Sequence, residues 1–134
     1  FWLGKWNAYD RLAKTPGTSV IESLYNGCGF RESWSEDGLT GGSINAYLAA
    51  DGKWHQIWVD NRGGIREFVG GPDAQGRMVM IARFPSQRMP GRQVWDRMTF
   101  SKEPDGRVRQ YSDASTDEGA TWTPLYDNIY TRAD

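Results

Sequence analysis

Gly4-Lys5-Trp6 near the start of the chain and Tyr130-Thr131-Arg132 near its end decide how everything between them folds. Both sit in runs with strand composition, so the Trp belongs to the opening strand and the Arg to the end of the closing one. An indole and a guanidinium from opposite ends of a chain meet only if the sheet wraps round and pairs its last strand with its first. The guanidinium then stacks on the indole face, an interaction worth about 0.5–2 kcal/mol depending on burial. Working inward from the ends, turn signals recur at hairpin spacing: Asn26-Gly27, Asp37-Gly38 with Gly41-Gly42, Asp51-Gly52, Gly63-Gly64, Gly70-Gly71-Pro72-Asp73, Pro90-Gly91, Asp105-Gly106 and Glu118-Gly119.

The runs between these turns are rich in β-branched and aromatic residues. They predict ten strands: Leu3–Asp10, Ser19–Tyr25, Cys28–Trp34, Ser43–Leu48, Lys53–Asp60, Ile65–Val69, Arg77–Phe84, Gln93–Ser101, Arg107–Ala114 and Ala120–Thr131. No stretch sustains a helical period, and Asp10–Lys14 allows one short turn at most. Ten short strands must hide their edges by closing or by packing a second sheet. The Trp6–Arg132 pairing selects closure. The expected fold is all-β, a closed up-and-down antiparallel β-barrel of about ten strands, forming one domain over residues 1–134.

Composition bounds what such a barrel can do. Mean hydropathy is −0.69, yet 13% of the residues are aromatic and seven are Trp, so the interior is built from large rings with polar handles instead of aliphatic bulk. The net charge of −1 with scattered Arg residues offers no footprint for nucleic acid. The longest apolar stretch, around Ala46–Ala50, is too short for a membrane-spanning helix. One cysteine, Cys28, excludes an internal disulfide and a Cys-based zinc cluster, and it is expected to be a small buried apolar residue. The sequence starts at Phe1 without Met or a signal segment, so removal of one is left open, and the compartment with it.

The Gly-x-Trp start with a terminal Arg resembles the lipocalin and fatty-acid-binding-protein superfamily, in which such a pair seals one end of the barrel. A closer resemblance is to an uncharacterised bacterial family of small, single-barrel, lipocalin-like (calycin) domains. It is carried by Phe1-Trp2-Leu3-Gly4-Lys5-Trp6, Trp54-His55-Gln56-Ile57-Trp58-Val59-Asp60, Asp105-Gly106-Arg107-Val108-Arg109-Gln110, Ser115–Trp122 and Tyr126-Asp127-Asn128-Ile129-Tyr130. This likeness implies a fold and assigns no activity. The chain departs from it at Ser112, where an aromatic is usual, and in the long loop Pro85–Arg92. Ser115-x-Asp117-x-Gly119-x-Thr121-Trp122 also matches the Asp-box of sialidases, a turn repeated once per propeller blade; occurring once, it reads as a structural hairpin.

Alternation along strands proposes what faces inward. Glu32 and Trp34, Asn45 and Tyr47, Gln56 and Trp58, Trp95 and Arg97, and Gln110 each share a face that mixes rings with one amide, carboxylate or guanidinium. A dry core does not tolerate that mixture, since each unpaired buried polar group costs about 1–3 kcal/mol. A ligand cavity does. The competing reading fills the centre with Ile44, Leu48, Ile57 and Val59 and leaves some of these polar faces in water. An inward Arg97 would need an anion, either Glu32 or a ligand carboxylate held bidentately, as fatty-acid-binding barrels hold theirs. His55, the only histidine, falls opposite Gln56 and is expected at the rim or outside, not as a haem ligand or general base.

The leading expectation is therefore binding of a small, partly hydrophobic molecule, with an anionic one as an option, and no cofactor or metal. The alternative is a small barrel enzyme, a cyclase, isomerase or hydrolase, using Glu32 or Asp60 as general acid/base with Arg97 stabilising negative charge. A third reading pairs two copies of the chain through exposed Ile57, Val59 and the Met-rich strand Met78–Phe84.

Overall fold

The computed structural model describes all 134 residues. Its strands are β1 (Gly4–Asp10), β2 (Thr15–Leu24), β3 (Gly29–Glu36), β4 (Leu39–Leu48), β5 (Lys53–Asp60), β6 (Ile65–Pro72), β7 (Met78–Pro85), β8 (Gln93–Lys102), β9 (Val108–Ser115) and β10 (Thr123–Arg132). Each strand pairs antiparallel with its sequence neighbours, and β1 pairs with β10, so the sheet is a closed ten-stranded barrel without a free edge. The only helical element is a single 3₁₀ turn at Tyr25–Gly27, with Asn26 in the left-handed region. Residues 11–14 form the single short turn between β1 and β2, closed by the Lys14 amide donating to the Asp10 carbonyl at 2.7 Å. No helix is long and apolar enough to cross a membrane.

Closure rests on the two ends of the chain. Trp6 and Arg132 are register partners, and the guanidinium carbon lies 3.9 Å from the indole centroid. Arg132 also donates to the carbonyl oxygens of Leu3 and Phe1, while the indole N–H of Trp6 donates to the carbonyl of Trp2 at 2.7 Å. Gly4 sits at φ 125°, and any side chain there would occupy the space of the Arg132 guanidinium. The Gly-x-Trp spacing is thus a packing requirement of the seam.

Two predicted strands begin earlier than expected, β2 at Thr15 and β4 at Leu39. In β4 the pair Gly41-Gly42, read as a turn signal, lies inside the strand, because a Cβ on Gly41 would stand 2.6 Å from the Trp58 ring. Gly70 and Gly71 are likewise in β6. At Gly41, Gly42 and Gly70 glycine makes room for an indole or a neighbouring backbone instead of turning the chain.

Asp10, Glu36, Asp60, Pro85 and Ser115 end their strands at one mouth of the barrel; Leu24, Leu48, Pro72 and Lys102 end theirs at the other, beside residues 1–3. Ile21, Met80, Phe100 and Val108 pack inside toward the second mouth, whereas polar side chains dominate toward the first. Ile44, Leu48, Ile57 and Val59 are about half exposed on the outer wall, which overturns the reading that they fill the centre. Met78 and Met80 point inward, so β7 does not offer a Met-rich outer face.

Candidate functional site

A cavity of about 500 Å³ opens at the first mouth. It is reached by inward residues of several strands: Glu32 and Trp34 from β3, Gln56 and Trp58 from β5, Arg66 and Phe68 from β6, Asp96 and Met98 from β8, Gln110 from β9, and Tyr126, Asn128 and Tyr130 from β10. A smaller apolar cavity of about 280 Å³ lies toward the other mouth, among Phe30, Trp54, Met78, Phe100 and residues 1–3, and Gln56 borders both.

Two hydrogen-bond networks shape the interior. In the first, Ser19 and Ser43 each donate to one oxygen of Glu32 at 3.1 Å, Asn45 donates to Ser43 at 2.9 Å, and Gln56 donates to Asn45 at 2.6 Å. In the second, the Tyr130 hydroxyl donates to Gln110 at 2.5 Å, and the Gln110 amide donates to Tyr126 at 3.1 Å and to the Met98 sulfur at 3.0 Å. Beside it, Ser112 donates to Asp96 at 2.5 Å. Ser112 itself is fully buried. A bulge between Pro124 and Tyr126 re-aims β10 so that Tyr126, Asn128 and Tyr130 face in together.

Burial pushes Glu32 up to about 7, against the lowering effect of its two serine hydroxyls. Burial also raises Asp96, only partly offset by the Ser112 hydrogen bond and the field of Arg66. The phenols of Tyr126 and Tyr130 are raised, first by burial and then by neighbouring carboxylates, and stay protonated donors. Asp60 behaves differently. The Trp58 indole N–H holds it below the usual carboxylate range, and the amides of Arg62 and Gly64 bind its other oxygen. These bonds tie it into the turn after β5 and favour its ionised form.

Of the residues predicted for the site, Glu32, Trp34, Asn45, Gln56, Trp58 and Gln110 face the interior. Three do not serve it. Tyr47 keeps the inward parity of β4 but lies past the lip of the barrel, 53% exposed and packed on Trp54. Trp95 and Arg97 point outward, because β8 is turned so that Asp96, Met98 and Phe100 face in. Outside, Arg97 forms a bidentate pair with Asp113 at 2.9 and 2.7 Å and stacks on Trp122 at 3.8 Å, so it needs neither Glu32 nor a ligand anion. Trp95 is covered by Arg83 at 4.1 Å. His55 is on the outer wall, sharing a 2.7 Å hydrogen bond with Asp51. Cys28 is exposed, not buried, because it follows the 3₁₀ turn outside β3.

The sequence reading missed Arg66, Phe68, Asp96, Tyr126, Asn128 and Tyr130. The last three alternate ring, amide, ring, the same pattern that marked β5, and were legible on that ground. Asn128 is the most informative of them. It is 7% exposed and its side chain has no hydrogen-bond partner in the protein, so its polar atoms are turned to the cavity. One oxygen of Asp96 and the carbonyl oxygen of Gln56 are also without protein donors. The carboxyl groups on the lining are those of Asp10, Glu32, Glu36, Asp37, Asp60 and Asp96, against the guanidiniums of Arg62 and Arg66. No group of three or more His, Cys, Asp or Glu is arranged to hold a metal ion. No model of a known protein family matches the chain, and no curated protein matches it.

Proposed function

We propose that the chain is a lipocalin-like barrel that binds a small, partly hydrophobic molecule in its interior without transforming it. The observation that carries this reading is an interior cavity of about 500 Å³ whose wall joins the rings of Trp34, Trp58 and Phe68 to the amide of Asn128, which has no protein partner and opens onto that space. Because that amide faces open cavity space and makes no bond within the protein, it is free to serve water or a ligand there. The volume falls within the range of small-molecule sites, and indole and phenyl walls with a few convergent polar groups are the lining such sites use. With Arg97 outside, the option of a carboxylate held by that residue is withdrawn. Native mass spectrometry of protein purified without denaturation tests the reading. A one-to-one small-molecule adduct, released on unfolding, is the expected result; a protein that carries nothing and takes up nothing from a mixed panel of small aromatics would contradict it.

One observation favours a second reading. Glu32, near 7, holds acid and base forms together at neutrality, as a general acid/base requires. Its expected partners are absent, because Asp60 is tied into its turn and Arg97 is outside; Asp96, also raised by burial, is the other carboxyl on that wall. Turnover assays on the wild type and Glu32→Gln separate the readings: an enzyme shows turnover that the variant loses, whereas a binder shows none in either protein.

A further inference from the structure

We infer that the larger cavity takes a small organic cation, an ammonium group carried on a flat apolar body. The inference rests on the interior being a ligand site and specifies the charge of what enters. Six carboxyl groups line the cavity against two guanidiniums. Neither guanidinium offers a clamp for an anion. Arg66 lies 3.7 Å over the Phe84 ring and donates to the Ile65 carbonyl, while Arg62 is exposed on the loop after β5. The other Arg residues near these strands, Arg97 and Arg109, are on the outer wall in ion pairs with Asp113 and Asp127. Glu32 consequently has hydroxyl donors and no cationic partner.

The unused hydrogen-bonding groups match an ammonium. Its N–H bonds need acceptors, and the cavity presents the free oxygen of Asp96, the carbonyl oxygen of Gln56 and the unpartnered amide of Asn128. A carboxylate ligand would find few donors there and would face like charge. The rings of Trp34, Trp58 and Phe68 share the same wall, and a desolvated cation is attracted to such faces. An ammonium brought beside Glu32 and Asp96 supplies the counter-charge that Glu32 lacks and adds to the field of Arg66 at Asp96, so both are drawn toward their ionised forms as it binds.

Calorimetric titration of the intact chain near neutral pH with three matched probes, phenethylamine, phenethyl alcohol and phenylacetate, tests the inference. The amine is expected to bind about tenfold or more tightly than the alcohol, and phenylacetate more weakly than either. Asp96→Asn should cost the amine about tenfold while leaving the alcohol unchanged, which also reports an intact cavity. Should that variant not fold, Glu32→Gln is read the same way. If the alcohol or phenylacetate binds as well as the amine, or neither variant discriminates, the charge assignment is wrong although a ligand site stands. If none of the three binds, both readings fall.

Discussion

Glu32 shows how a single buried carboxyl group couples the interior to pH. It binds a proton more tightly folded than unfolded, with values of about 7 and 4.5. Between those two values the folded state holds more protons, so stability falls as pH rises through that window and is level on either side. A shift of this size corresponds to about 3 kcal/mol. Relative to Glu32→Gln, the wild-type chain should lose up to that amount between pH 4.5 and about 8, read by urea denaturation at the two ends. Parallel stability profiles for the two proteins would remove Glu32 from its desolvated position. Arg97 gives the complementary prediction. Because it lies on the outer wall, Arg97→Ala should leave ligand affinity within about twofold while costing stability through the lost Asp113 and Trp122 contacts. Glu32 and Gln56 were legible from alternation because each sits between rings of the same parity. Arg97 was not, because Trp95, Arg97 and Thr99 make as plausible an inner face as Asp96, Met98 and Phe100. What decided it was Asp113 on the neighbouring strand, and sequence alone does not give cross-strand register.

Among the elements, the hairpin joining β9 to β10 was read correctly as structure. Ser115 accepts from the amides of Asp117 and Gly119, Asp117 accepts from the amide and hydroxyl of Thr121, and the Trp122 indole N–H donates to the Gly119 carbonyl. These bonds, the Thr121 hydroxyl foremost, bring Asp117 down to about 2. Its contribution is present above its ordinary value of 3.8 and is lost as pH falls toward 2. Asp117→Ala should therefore be less stable than wild type at neutral pH, and the two thermal melts should converge in acid; a constant gap would contradict the turn-capping role. The strand β4 teaches the opposite lesson. Gly41-Gly42 looks like a turn in sequence, yet Gly41 is the flat seat of the Trp58 ring. Gly41→Ala should cost about 1–3 kcal/mol by overpacking and displace the indole, seen as a shift in tryptophan emission. Unchanged emission and stability would mean that the seat is not tight.

At the scale of the whole molecule, the closed sheet follows from its two ends, and that much was legible before any coordinates. Arg132→Ala removes the stacking on Trp6 and the bonds to Leu3 and Phe1, and should lower stability by about 1–3 kcal/mol in urea denaturation. The division of the interior into a polar chamber and an apolar one was not legible, since it depends on which face of β8 and β10 turns inward and on the bulge after Pro124. The central claim is that the polar chamber receives a ligand, and side-chain amide NMR tests it most directly. On titration with the panel of matched amine, alcohol and carboxylate, the amide signals of Asn128, Gln56 and Gln110 are predicted to move together, while those of Asn7 and Gln75 on the outside stay fixed. Movement confined to the outer amides, or none at all, would contradict the account.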